Sequence, residues 1–296
     1  MENSIRIFNN YLINEKKSSA NTVESYMRDI LQFSTFCTSN NINRLTDIDS
    51  TVINNYLNYL TANSKSEATK LRILASLRSF FRCHNAKGIY EGNPLEGINI
   101  KKTEKQLPGI LDAKEIVLLL SQPNGNDFKS VRDKAMLEIL YATGIKVSEL
   151  IELRVGDINL QIGILTLNNG KKERIVPIYP AAVRSLANYL VNVRPTIVAD
   201  VNEDKLFTNM NGRAMTRQGF WKIIKHYADT AGIHKDITPH TLRHSFAAHL
   251  LENGAKLSDI KEMLGHSDIS STQIYAQMMK NKYTSAYSKF HPMANR

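Results

Sequence analysis

Through the first hundred positions, apolar residues recur at spacings of three and four, the period of a helix with one buried face. In SIRIFNNYLINEKK they are Ile5, Phe8, Tyr11 and Leu12. In SSANTVESYMRDILQFSTFC they are Val23, Tyr26, Ile30 and Phe33, with Asn21 or Thr22 as the expected N-cap. STVINNYLNYLTAN and SEATKLRILASLRSFFRCHNAKG continue the pattern, the latter closing on Gly88. Four helices with short polar joints predict a compact antiparallel bundle. GIYEGNPLEGINIKKTEKQLPGIL then breaks the period with glycines, prolines and a basic run, the composition of an extended linker. The expected division is a first domain over 1–86, a linker over 87–106 and a second domain over 107–296.

The helical period returns in LDAKEIVLLLSQ, SVRDKAMLEILYATG and KVSELIELRVGDI. It changes in GILTLNNGKKERIVPI, where two short apolar runs flank an Asn-Gly turn and predict a hairpin. AAVRSLANYLVNV, TRQGFWKIIKHYADTAG, TPHTLRHSFAAHLLENG, KLSDIKEMLGH and ISSTQIYAQMM restore helices. The fold class is therefore mainly α, the second domain carrying one small antiparallel sheet.

Composition narrows the functional classes. The 296 residues include 42% hydrophobic side chains, enough for two cores, and 38 Lys and Arg against 28 Asp and Glu. Residues 1–100 hold 11 of those basic and 9 of those acidic side chains, so +8 of the net +10 lies beyond them. A surface this basic favours a polyanionic partner, nucleic acid first. Lys70, Arg72, Arg78 and Arg82 beside the apolar stripe of the fourth helix would suit a DNA groove, or a solvated face. No apolar run approaches the ~20 residues of a membrane span, and the polar start MENSIRIFNNYL lacks a secretory core. Cys37 and Cys83 sit in apolar helical patterns and read as buried thiols, so a cytoplasmic home is expected.

The candidate chemistry lies in residues 238–277. Thr238 is the expected N-cap and Pro239 the first-turn proline of a helix that presents His240 and Arg243 on one face. LGHSD places His266 at a helix end after Gly265, and Tyr275 follows nine residues on. Each alone is an ordinary structural residue; the ordered set is what carries a chemical meaning. Earlier, YATGIKVSEL puts Lys146 just past a glycine turn, at the start of a helix.

With these motifs the chain resembles the tyrosine recombinases of the phage-integrase type, and among them the bacterial Xer recombinases. The likeness extends from the N-terminal helices through TGIKVSEL, GKKERIVPI, PHTLRHSFAAHLL, LGHSD and TQIYAQ, in the family's order and spacing. It implies a four-helix core-binding (SAM-like) domain that clamps DNA, followed by a mixed helical catalytic domain. It implies cutting and rejoining of DNA through a 3′-phosphotyrosyl intermediate. Tyr275 would be the nucleophile, Arg243 and Lys146 would hold the scissile phosphate, and His240 and His266 would assist. A hairpin lysine, Lys171 in preference to Lys172, would protonate the leaving 5′ oxygen. The roles fit the chemistry. Fixed cations stabilise charge that grows in the transition state, and arginine offers a planar fork to two phosphate oxygens. A phosphotyrosyl bond conserves the energy of the broken one, so no ATP, metal or other cofactor is expected, and the chain has no phosphate loop of the Gly-Lys-Ser/Thr form.

Two departures stand out. The family has arginine at the place of Lys146, and the hairpin turn is about one residue shorter than the common GKG-x-KER form. The main expectation is an active recombinase, for chromosome dimer resolution or for mobile-element integration and excision. The alternatives are a DNA-binding protein of the same fold with weak catalysis because of Lys146, and a helical transcription factor. The resemblance also implies a tetramer, of one or two kinds of chain, on two DNA duplexes. The tail NKYTSAYSKFHPMANR carries Tyr283, Ala286, Tyr287 and Phe290 at helical spacing, to pack in cis or in a neighbouring subunit.

Overall fold

Ser19, Asp49 and Ser66 each accept the backbone N–H three residues on, at 3.3, 2.9 and 3.3 Å, and each starts a helix. The computed structural model describes residues 1–99, 109–168, 173–198, 200, 202–266, 268, 271–278 and 280. In its first unit, Met1–Gln106, the helices are α1 (Glu2–Asn10), α2 (Ala20–Ser39), α3 (Ser50–Ala62) and α4 (Glu67–Ala86). A π-helical turn, Tyr11–Glu15, prolongs α1. The cap of α2 is Ser19, not Asn21 or Thr22. Ser19 has the extended backbone that aims its hydroxyl back at the helix, whereas the other two already lie within it. The apolar faces meet in a core built on Phe8, Leu12, Ile30, Phe33, Tyr56 and Phe80. Tyr90, Leu95 and Ile98, inside the segment expected to be linker, are buried in that same core. Cys37 and Cys83 are buried free thiols, as expected.

The basic stripe of α4 is only partly available for an outside partner. Lys70 is buried against Glu67 at 2.5 Å. Arg72 donates from Nη1 to both oxygens of the buried Asp29, at 2.6 and 2.5 Å, while keeping an exposed edge. Arg78 donates to the Ile98 carbonyl at 2.9 Å. Arg72, Ala75, Arg78 and Arg82 remain exposed along one line of the helix.

The second unit, Leu107–Arg296, contains α5 (Ala113–Ser121), α6 (Phe128–Thr143) and α7 (Val147–Glu152). A three-stranded antiparallel sheet follows, in the order β1 (Ile158–Asn159), β2 (Ile164–Asn168), β3 (Glu173–Pro177). Then come α8 (Pro180–Asn188), α9 (Arg194–Ile197), α10 (Arg217–Thr230), α11 (Pro239–Glu252), α12 (Leu257–Leu264) and α13 over 271–278. Strand β1 is an addition to the expected hairpin. Leu153 leaves the helical region at φ −55°, ψ 141°, which ends α7 early and frees Ile158 to pair with Leu165. Leu165 opposes Val176 and Leu167 opposes Arg174, and all four side chains are buried. The main core joins α6, the sheet, α8, α10 and Leu242 of α11. A smaller cluster of Phe246, Ala247, Ile260, Leu264 and Tyr275 seats α12 and α13 on α11. The hairpin turn with Lys171 and Lys172, and the tail 281–296, lie outside the described residues.

Candidate active site

Two chain turns converge on one buried guanidinium. Helix α6 ends at Gly144, whose φ of +58° caps it in the left-handed region. A Cβ at Gly144 would stand 2.3 Å from Cδ1 of Phe246, so glycine is required for the backbone to lie this close to α11. Helix α12 ends the same way at Gly265, φ +66°. Helix α11 starts as its sequence predicts, with Thr238 accepting from Thr241 N–H at 3.3 Å and Pro239 in the first turn. From α11, Arg243 donates from Nη1 to the Gly144 carbonyl at 2.6 Å and from Nη2 to the Leu264 carbonyl at 2.8 Å. The guanidinium is 3% exposed, and burial lowers its pKa against the pull of Glu149. Its plane is thereby fixed before any substrate arrives.

Lys146 follows two residues after Gly144 and is the N-cap of α7, with its side chain exposed. Its own N–H donates to Glu149 Oε2 at 2.8 Å. Cations are disfavoured at helix N-termini, and Glu149 in the first turn offsets that. Burial alone would raise the Glu149 pKa. The Arg174 bond and the Lys146 N–H outweigh burial and hold the carboxyl below its ordinary value.

Arg174 of β3 ties these turns together. It donates from Nη2 to Glu149 Oε2 at 2.8 Å and from Nε to the Met263 carbonyl at 3.0 Å. Among the described residues its Nη1 is buried without a hydrogen-bond partner, 2.7 Å from where a Cβ on Gly265 would stand. Arg174 and Arg243 thus cap adjacent carbonyls at the C-terminus of α12, the negative end of that helix.

His266, next in the chain, pairs its Nδ1 with the hydroxyl of buried Thr272 at 3.0 Å. Burial, with Arg243, Lys146 and Arg174 nearby, pushes its pKa down to about 4. Tyr275 on α13 is 1% exposed, and its hydroxyl meets His244 Nδ1 at 2.9 Å. Burial raises the phenol pKa while the Arg243 charge opposes the rise. His240 lies exposed one turn before His244 on α11, their ring centres 6.3 Å apart.

Arg243, His266 and Tyr275 are therefore brought together, with Lys146 at the mouth and His240 at the rim; Lys171 is outside the described residues. Sequence reasoning passed over Glu149, Arg174 and His244. Glu149 had a signal in its place three residues after the N-cap. His244 had one in its position beside Arg243 and four residues after His240. Arg174 had none, since a charged residue in a strand reads as solvent-facing.

The phage integrase family profile matches residues 109–282, and the phage integrase N-terminal SAM-like domain matches residues 5–88. The chain belongs to the phage integrase family. Two relatives of this family bear the name tyrosine recombinase XerD. One, from Staphylococcus epidermidis, is 40% identical over 295 residues, covering 99% of this chain and 100% of the relative. The other, from Listeria innocua, is 42% identical over 299 residues, covering 99% and 100%. Among solved structures, the XerH site-specific recombinase in a post-cleavage complex with its palindromic difH substrate matches in fold. Its TM-score is 0.76 and its identity 24%, over 92% of this chain and 81% of that one. As a phage integrase the chain is a tyrosine site-specific recombinase of Xer type, mainly helical with one small antiparallel sheet. Among the described residues no helix is long and apolar enough to cross a membrane.

Proposed function

We propose that this recombinase breaks and rejoins duplex DNA through a 3′-phosphotyrosyl bond to Tyr275, with Arg243 and Lys146 on the scissile phosphate. The observation that carries this reading is Arg243, fixed to the Gly144 and Leu264 carbonyls between the turns that bear Lys146 and His266. A phosphate seated there meets a preset guanidinium and an exposed ammonium, so charge growing on its oxygens is stabilised without rearrangement. His266, held by Thr272, and His240 at the rim supply donors to the same oxygens. Lys171 is the acid that protonates the leaving 5′ oxygen, with Lys172 the other choice. The phosphotyrosyl bond retains the energy for resealing, so the cycle closes with no external cofactor. The weakly catalytic alternative is not favoured, because the relatives of near full-length match are named recombinases.

In this reading residues 1–86 and 107–296 grip one DNA site, joined by the 87–106 segment. Arg72, Arg78 and Arg82 on the first unit add positive charge for the phosphates. Four chains act on two duplexes in the cytoplasm, either alone or with a second recombinase, and the 281–296 tail docks in a neighbour. An apolar cavity of about 400 Å³ lined by Tyr141, Val176, Tyr179, Phe246, Leu250 and Met263 has the character such a tail requires. The test is covalent trapping on a nicked duplex bearing the site that the protein selects from random-sequence DNA. Wild type should leave DNA bound through tyrosine. Tyr275→Phe should bind equally and leave none; an adduct with that variant would reassign the nucleophile.

A further inference from the structure

A phenol that attacks phosphorus must lose its proton, and Tyr275 is closed off from bulk water at 1% exposure. The polar atom at its hydroxyl is Nδ1 of His244, 2.9 Å away, with the two rings centred 5.7 Å apart. The phenol O–H is the donor when His244 is neutral with its proton on Nε2. His244 is itself half-buried on α11, between the exposed ring of His240 and the buried ring of Tyr275. The side chains thus form a row from solvent to nucleophile, and His244 is its middle member.

We propose that His244 is a further catalytic residue, the base that takes the Tyr275 proton during cleavage and returns it during rejoining. The inference rests on Tyr275 being the nucleophile. In the forward step the Tyr275 Oη–P bond forms and the P–O5′ bond breaks. The phenol proton passes to His244 Nδ1, and the departing O5′ takes a proton from the acid of the site. In the reverse step the 5′ hydroxyl gives its proton to the conjugate base of that acid and attacks, the P–O5′ bond forms, the Oη–P bond breaks, and His244 returns its proton to the departing Tyr275 oxygen.

The surroundings fit that role. Among the described residues, the charged and titratable groups that face His244 are His240 and Arg243 on its own helix, His266 after α12, and Tyr275 of α13. Burial, then His240, Arg243 and His266, lower its pKa to about 4, so it rests neutral and open to a proton. An anionic phosphate arriving beside it favours the charged imidazolium and strengthens the base when it is needed.

The experiment is single-turnover adduct formation by the full-length protein on the nicked duplex, from about pH 6 to 9, comparing wild type with His244→Asn. Asparagine places an amide oxygen near the position of Nδ1, so it keeps the hydrogen bond and removes the basicity. The expected result is a loss of about 10²- to 10⁴-fold at neutral pH with DNA affinity unchanged. That loss should shrink as pH rises, and shrink again when the more acidic 3-fluorotyrosine stands at position 275. An unchanged or faster rate would make His244 a latch on the resting hydroxyl and overturn the proposal. So would a loss that neither pH nor fluorination reduces, which marks packing alone. An adduct from Tyr275→Phe would overturn the nucleophile assignment together with this inference. No adduct from Tyr275→Phe, combined with an unaffected His244→Asn, would overturn the base role alone.

Discussion

Replacing Arg174 by methionine should damage stability and cleavage together, and the structure gives the size. The Arg174–Glu149 pair is buried on both sides, the side chains 6% and 11% exposed, at 2.8 Å. Among the described residues, methionine leaves Glu149 with the Lys146 N–H as its remaining hydrogen bond. Breaking a buried pair from one side costs about 3–5 kcal/mol. Relief of the unpartnered Nη1 returns about 1–3 kcal/mol. The net loss should be about 2 kcal/mol. Urea unfolding of both proteins measures it. Cleavage should fall as well, because Arg174 holds the Met263 carbonyl immediately before the Leu264 carbonyl that fixes Arg243.

A second variant separates this account from simple loss of packing. Glu149→Gln removes the charge that Arg174 compensates, so Arg174→Met combined with Glu149→Gln should cost less than the two separately, by about 1–2 kcal/mol or more. The pH dependence gives an independent check. In wild type the Glu149 pKa is depressed, so its contribution is present above the unfolded value near ~4.3 and is lost as pH falls through the folded value. Without Arg174, burial raises that pKa, and protonation at mildly acid pH relieves the variant. The stability gap should therefore narrow from neutral pH toward about pH 4. Additive losses with a gap constant in pH would refute the reasoning.

The other expectations come from single features of the site. Lys146→Arg should raise single-turnover cleavage about tenfold by adding a second prong to the phosphate contact, and Lys146→Ala should approach background. Equal rates for Lys, Arg and Ala would remove Lys146 from the site, and its exposure means that stability should move by no more than about 0.5 kcal/mol. Gly144→Ala should cost at least about 2 kcal/mol, from the φ of +58° and the 2.3 Å approach to Phe246, and should slow cleavage by displacing the Arg243 anchor; an unchanged thermal midpoint would contradict this. His244 and His266 both have folded pKa values near 4, below the unfolded ~6.5, so their contribution is whole above ~6.5 and is lost as pH falls toward 4. Solvent screening of these partly exposed rings keeps each contribution well below the ~3 kcal/mol of the full shift, and a flat urea midpoint across that window would exclude the effect.

Local pattern revealed the helices and pointed to the recombinase family because both are written at short range. Thr238-Pro239 announces a helix start through one hydroxyl and one fixed φ, and the structure keeps that start. The cap of α2 was misplaced by two or three residues because serine, asparagine and threonine are all competent caps, and only backbone direction chose Ser19. Strand β1, two residues long, had too few positions to show an alternation.

The site's supporting residues were harder to see because local polarity points the wrong way for them. In ERIVP the alternation that a sequence offers would bury Ile175 and expose Arg174. The register does the opposite, leaving Ile175 56% exposed and Arg174 7% exposed. Strand phase follows the partner strand: Val176 must face in against Leu165, so the residue two before it must face in against Leu167, whatever its charge. A guanidinium forced inside needs acceptors, and it finds them in Glu149 and Met263, 25 and 89 positions away in the chain. His244 follows the same logic. Helical period puts it on a face with His240, but only α13, arriving from 31 residues downstream, turns it into a neighbour of Tyr275. The residues proposed to do the cutting are recognisable by type and spacing. Those that hold and activate them become recognisable when distant turns close on one another, because their polarity is satisfied across the chain instead of along it.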